Sequence, residues 1–171
     1  MPTSADTFPV QTPVFLYTPV PLVRGVDADP LVGAAVGVFP ARAAGYRLYR
    51  AAMFATNSDL MGFVAAQTGY ATVGRLFVIH PHRYAGVLDA LDRAFGFRDD
   101  RSSVYMRRRA AVDWVIDGAA VVVHAWLYEG GATLLGSTHL CSPVPRGDFS
   151  AWLAASHAHR SVPPAPDRAQ P

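Results

Sequence analysis

The dipeptide Asp117-Gly118 separates two long β-forming runs, Val104 to Ile116 and Ala119 to Tyr128. No other feature constrains the fold as strongly. An Asp-Gly link between apolar, β-branched and aromatic arms predicts a tight hairpin, so an antiparallel ribbon must lie at the centre of the chain.

The remaining segments are read from their periodicity. Val14 to Tyr17, overlapping the stretch Phe15 to Val20, is a short apolar strand that breaks at Pro19 and Pro21, with Tyr17 where strand becomes loop. The segment from Pro30 to Ala35 suits a short helix. Gly37 to Arg50 contains a strand-pair element ending in an alternating run, with Tyr46 and Leu48 on one face and Arg47 and Tyr49 on the other. Met53 to Phe63 has no regular pattern. Thr72 to Ile79 is a strand that His80-Pro81-His82 stops. Val87, Leu88, Leu91 and Phe95 recur at the three-and-four spacing of an amphipathic helix from Arg83 to Phe95, with Asp89 and Asp92 on one flank and Gly96 as terminator. A second short helix is expected over Phe149 to Ala158.

Composition closes several routes. The chain has 171 residues, 51% of them hydrophobic and 16% charged, which describes a globular domain with a sizeable core. All fifteen basic residues are arginine, so neither a Schiff-base lysine nor a phosphate-loop lysine is available. Cys141 is the one cysteine, so no internal disulfide can form, and a lone thiol suits a reducing cytoplasm. No signal peptide or membrane span is read. His80 and His82 lack a third ligand nearby, so no metal site is expected. His124 reads as a hydrogen-bonded core residue. Arg107, Arg108 and Arg109 alternate faces of a strand, and with Arg93, Arg98 and Arg101 they make a region able to serve an anionic ligand. A net charge of +2 without interleaved aromatics argues against nucleic acid.

Five ordered pieces, Gly45 to Tyr49, Gly74 to Phe77, Leu88 to Asp92, Tyr105 to Arg107 and Ala125 to Tyr128, follow a strand ending at Tyr17. Over roughly residues 13 to 130 this order resembles the gamma-glutamylcyclotransferase-like (AIG2-like) family, about two-thirds of the chain. Its members open with Tyr-Gly-x-Leu and continue through Gly-Tyr-x-Leu-Tyr and a Gly-x-x-x-x-Val strand. They then place a catalytic Glu in Leu-Asp-x-x-Glu, followed by Tyr-x-Arg and Ala-Trp-Val-Tyr strands. The resemblance implies an α+β fold, a small, mostly antiparallel β-barrel with flanking helices. Residues 1–12 would form a flexible leader, 13–155 a single domain, and 156–171 a disordered proline-rich tail.

It also implies a cofactor-free reaction in which carboxylate acid/base catalysis releases an amine from a γ-glutamyl or related acyl small molecule, in specialised metabolism. Asp92 would be the catalytic group. Tyr17, Thr18, Pro19, Val20, Tyr105 and Arg107 would bind substrate in a pocket between the Asp92 helix and the Tyr17 loop. The chain departs from the pattern at two places. Thr18-Pro19 replaces the turn glycine and its neighbour, and proline has no N–H to donate. Asp92 replaces Glu, with a reach shorter by about 1.5 Å.

For each residue a plainer reading stands beside this one. Asp92 can pair with Arg93 or Arg98, Asp89 can substitute for it, Tyr17 and Tyr105 can pack with hydroxyls in water, and Arg107 can brace its strand. Two other functions stay open: the same pocket retuned for a cyclisation or elimination, or a non-catalytic small-molecule-binding module. The expected partner is a small amine or amino-acid conjugate, with neither nucleic acid nor membrane, and a homodimer is compatible with the reading.

Overall fold

A computed structural model of the chain describes residues 11–18, 30–50, 62–98, 100, 102–116 and 118–160. The hairpin forms as its turn dictates. Strands β4 (Tyr105–Ile116) and β5 (Ala119–Gly130) pair antiparallel in continuous register from Ile116 opposite Ala119 to Tyr105 opposite Gly130. Around this ribbon lie β1 (Val14–Leu16), β2 (Ala35–Arg50), β3 (Gly62–Ile79) and β6 (Ser142–Pro143). Their order in one six-stranded sheet is β1-β3-β5-β4-β2-β6, and β2 also pairs with β3. The pairings β2–β3, β3–β5, β5–β4 and β4–β2 therefore return to their starting strand. All but the single-bridge parallel contacts of β5 with β1 and β3 are antiparallel in this sheet. The result is the expected mixed α+β architecture.

Alternation sorts side chains into two cores. Phe15, Tyr17, Leu48, Val64, Leu76, Val112, Ala125 and Leu127 pack together. Val14, Leu16, Tyr105 and Tyr128 point the other way, to meet Val87 and Leu91 of helix α1 (Tyr84–Ala94) and Phe95, which caps its C-terminus. Helices α2 (Ala132–Gly136) and α3 (Phe149–Arg160) follow the ribbon.

Gly74 explains how β1 fits. A Cβ at this position would lie 2.4 Å from the Leu16 carbonyl oxygen, so only glycine lets β1, which leads into Tyr17, approach β3.

Several local expectations are corrected. Pro30 to Ala35 forms hydrogen-bonded turns closed by Ala34 and Ala35 N–H on Leu31 C=O, and Ala35 already starts β2, whose β-branched and alternating sequence favours extension. Gly37 to Arg50 is part of one long strand whose partner is β3, with a register shift between Ala44 and Tyr46. β3 begins at Gly62, ten residues before Thr72, because β2 supplies ladder partners to a stretch of weak intrinsic preference. The tail expected from 156 is helical through Arg160. Residues 1–10, 53–61 and 161–171, to which a leader, an irregular segment and a tail were assigned, lie outside the described residues.

Candidate functional site

Asp92 is positioned by the way α1 ends. Gly96 adopts φ +60, its N–H bonds the Arg93 carbonyl at 3.1 Å, and Phe97 N–H bonds the Asp92 carbonyl at 2.8 Å. This is a Schellman termination, for which glycine is suited because it has no Cβ to clash. It holds Asp92 in the last turn, facing the β4–β5 ribbon.

The ribbon presents two residues to it. Register places Arg107 directly opposite Tyr128, and both side chains lie on the face that α1 covers. Arg107 Nη1 donates to Asp92 Oδ2 at 2.7 Å, and Tyr128 Oη donates to Asp92 Oδ1 at 2.7 Å. The ion pair is four-fifths buried: the Arg107 and Asp92 side chains are 23% and 20% exposed. The guanidinium carbon of Arg107 lies 5.2 Å from the Phe97 ring centroid and 5.0 Å from that of Trp126, a stacked setting suited to a planar cation. Phe95 stacks on Tyr128 at 4.3 Å, so the phenol is locked. Burial, reinforced by the bond to Asp92, pushes the Tyr128 hydroxyl well above its ordinary range.

Tyr17 and Tyr105 are placed differently. Tyr17 belongs to the core on the other side of β5, and its hydroxyl donates to the Tyr128 backbone carbonyl at 2.5 Å. Tyr105 packs edge-on to Phe95 and donates to the Gly62 carbonyl at 2.9 Å. Neither hydroxyl is in water; burial raises both above the usual phenol value of 10.0. Among the described residues the carboxylate of Asp92 thus gathers Arg107 and Tyr128, while the two expected phenols are spent on backbone carbonyls. Asp92 does not pair with Arg93, which instead bonds Asp89 at 2.6 Å on the exposed helix surface. Thr18 is partly buried beside Gly62, and Pro19 and Val20 lie outside the described residues. The His80 and His82 rings lie 3.8 Å apart on the surface, tilted by 47°, and no group of three metal-ligating side chains occurs among the described residues. His124 is exposed on β5, as are Val121 and Val122 just before it, correcting its assignment to the core.

Two residues were not singled out from sequence. Tyr128 closes the Ala-Trp-Leu-Tyr run, and counting back from Asp117-Gly118 would have set it opposite Arg107. The other is Glu129, the chain's sole glutamate. It accepts Ala66 N–H at 3.0 Å, stands 3.6 Å from Arg108 Nε, and its side chain is 14% exposed. With Met106, Arg108, Ala132 and Leu135 it lines a hollow of about 530 Å³. No helix among the described residues is long and apolar enough to cross a membrane.

Fold and site together define an α+β sheet protein with a carboxylate, guanidinium and phenol clustered between a helix and a hairpin. No protein-family model matches the chain, and no curated protein does. Among solved structures it is similar to a gamma-glutamyl cyclotransferase at 14% identity, over 89% of this chain and 81% of that one, with a TM-score of 0.47. It is also similar to two Arabidopsis thaliana proteins with solution structures. One is 13% identical over 92% and 89% of the two chains with a TM-score of 0.46, and the other 15% identical over 92% and 86% with a TM-score of 0.42.

Proposed function

We propose that the chain is a cofactor-free acid/base enzyme of the gamma-glutamylcyclotransferase type, releasing an amine from a γ-glutamyl or related acyl small molecule. The observation that carries this reading is the Asp92 carboxylate, held between α1 and the ribbon with a phenol on one oxygen and a guanidinium on the other. It is the residue to which the family resemblance gives the role of proton-handling acid.

In this reaction the substrate's free amine attacks its own γ-carbonyl and a new C–N bond closes the lactam. Asp92 takes the proton lost by the attacking nitrogen, and the old C–N bond breaks as that proton passes to the departing amine. Both reacting groups belong to one molecule, so a pocket that folds the substrate supplies much of the rate through proximity. Both Asp92 oxygens already hold protein donors. Each oxygen has room for a second donor, so a substrate N–H can reach Asp92 beside them, and the Arg107 guanidinium, which has further N–H groups, is suited to a substrate carboxylate. The reading includes a cytoplasmic setting, a role in specialised biosynthesis and a homodimer as parts of the proposal.

Incubation with a panel of γ-glutamyl amines should yield 5-oxoproline and free amine, and Asp92→Asn should lower the rate by about 100-fold or more with the fold retained. A panel that gives neither product overturns the assignment.

A second reading moves proton transfer to Glu129. It is favoured by one observation: the Glu129 carboxylate borders a hollow of about 530 Å³, which gives a substrate room beside it. Glu129→Gln losing turnover while Asp92→Asn keeps it would select this reading; the reverse would remove it.

A further inference from the structure

Away from both carboxylates, β2 and β3 and the loop after β6 border an open hollow of about 400 Å³ lined by Arg42, Arg47, Tyr70 and Arg146, with no acidic residue in its wall among the described residues. Among the described residues none of the three arginines has a carboxylate within ion-pair distance. Asp113 stands opposite Arg42 across the β2–β4 pairing without bonding it. Three arginines line one hollow, none of them ion-paired among the described residues, and an oxyanion that accepts their N–H groups would lower the repulsion between like charges there.

The wall is built rather than incidental. Arg47 lies over the Tyr70 ring at 4.4 Å and within 5.5 Å of the Tyr49 ring, which fixes its guanidinium plane. The loop bearing Arg146 is pinned to β2 by Val144 N–H on the Leu48 carbonyl at 2.9 Å. Arg146 has φ +58, the one non-glycine residue with positive φ among those described. A side chain held in this region carries backbone strain on the order of 1 kcal/mol, and glycine would carry none. An arginine kept where glycine fits better is consistent with a use for its guanidinium.

We propose that this hollow is a second binding site, for the phosphoryl group of a small soluble molecule. Arginine forks match phosphate oxygens two at a time, and the volume admits a pyrophosphate or a phosphorylated metabolite. The proposal is independent of the acid/base reading, since no residue of the Asp92 cluster or the Glu129 hollow lines this wall.

Calorimetric titration of the full chain with inorganic pyrophosphate at physiological salt should show one saturable site. Arg42→Gln and Arg146→Gly should each weaken it at least tenfold. Arg146→Gly should also melt no lower than the parent, because glycine accepts the positive φ, so lost binding cannot be ascribed to lost fold. Arg83→Gln, an equal charge change elsewhere on the surface, should leave the affinity within twofold. Absence of saturable binding, or equal weakening by Arg83→Gln, would overturn the proposal. So would binding confined to phosphatidate-containing vesicles with none to pyrophosphate, since that would assign the arginines to a lipid surface.

Discussion

Tyr128 donates its buried hydroxyl to Asp92 Oδ1 at 2.7 Å, joining the last turn of α1 to the end of the hairpin. The bond is charge-assisted, and stacking on Phe95 leaves the phenol no alternative rotamer without disturbing the core. Tyr128→Phe should cost about 1–2 kcal/mol in urea unfolding, because the carboxylate keeps Arg107 and regains only partial solvation. Under the acid/base proposal the same variant should also change turnover, since it frees one Asp92 oxygen.

The ion pair of Asp92 with Arg107 bridges helix and ribbon with about a fifth of each side chain exposed. A double-mutant cycle through Asp92→Ala and Arg107→Ala should give a coupling energy of about 1 kcal/mol or somewhat more, above the range of exposed pairs. The Asp89–Arg93 pair, with both side chains roughly two-thirds exposed, should couple far less in the same measurement.

Alkaline stability should be governed by phenols. Burial raises Tyr17, Tyr105 and Tyr128 above the ordinary value of 10.0. The unfolded chain therefore releases these protons at lower pH than the native one. Their stabilising contribution is complete below pH 10 and declines as pH rises beyond it, by up to about 1.4 kcal/mol per pH unit for each phenol. Urea titrations between pH 8 and 11 should show a plateau and then a steep fall, and Tyr105→Phe should make the fall shallower.

Gly74→Ala tests how β1 is seated. Its methyl would press on the Leu16 carbonyl and on the Phe15 ring, displacing the strand that leads into Tyr17. The expected loss is about 1–3 kcal/mol in thermal or urea unfolding, with weakening of the Tyr17 bond to Tyr128. A variant as stable as the parent would mean that β1 can shift without cost.

Local chemistry made much of this molecule readable in one dimension. Asp117-Gly118 determined a hairpin and, through the two-residue link, its register, because one slipped residue would turn every side chain to the wrong face. Apolar spacing and Gly96 determined where α1 runs and stops, so Asp92 was identifiable as a residue of its final turn. What the tertiary structure decided was company. Arg107 rather than Arg93 or Arg98 pairs with Asp92, since the pairing depends on which face of the ribbon the helix covers. Tyr17 lies in the other core, since alternation along β1 separates it from Leu16, and where its hydroxyl ends up depends on a strand 111 residues away. The extension of β3 to Gly62, the hollow beside Glu129 and the shared wall of Arg42, Arg47 and Arg146 likewise depend on strands pairing across long separations. Periodicity states which way a side chain points along its own element; only the packing of elements states what it meets.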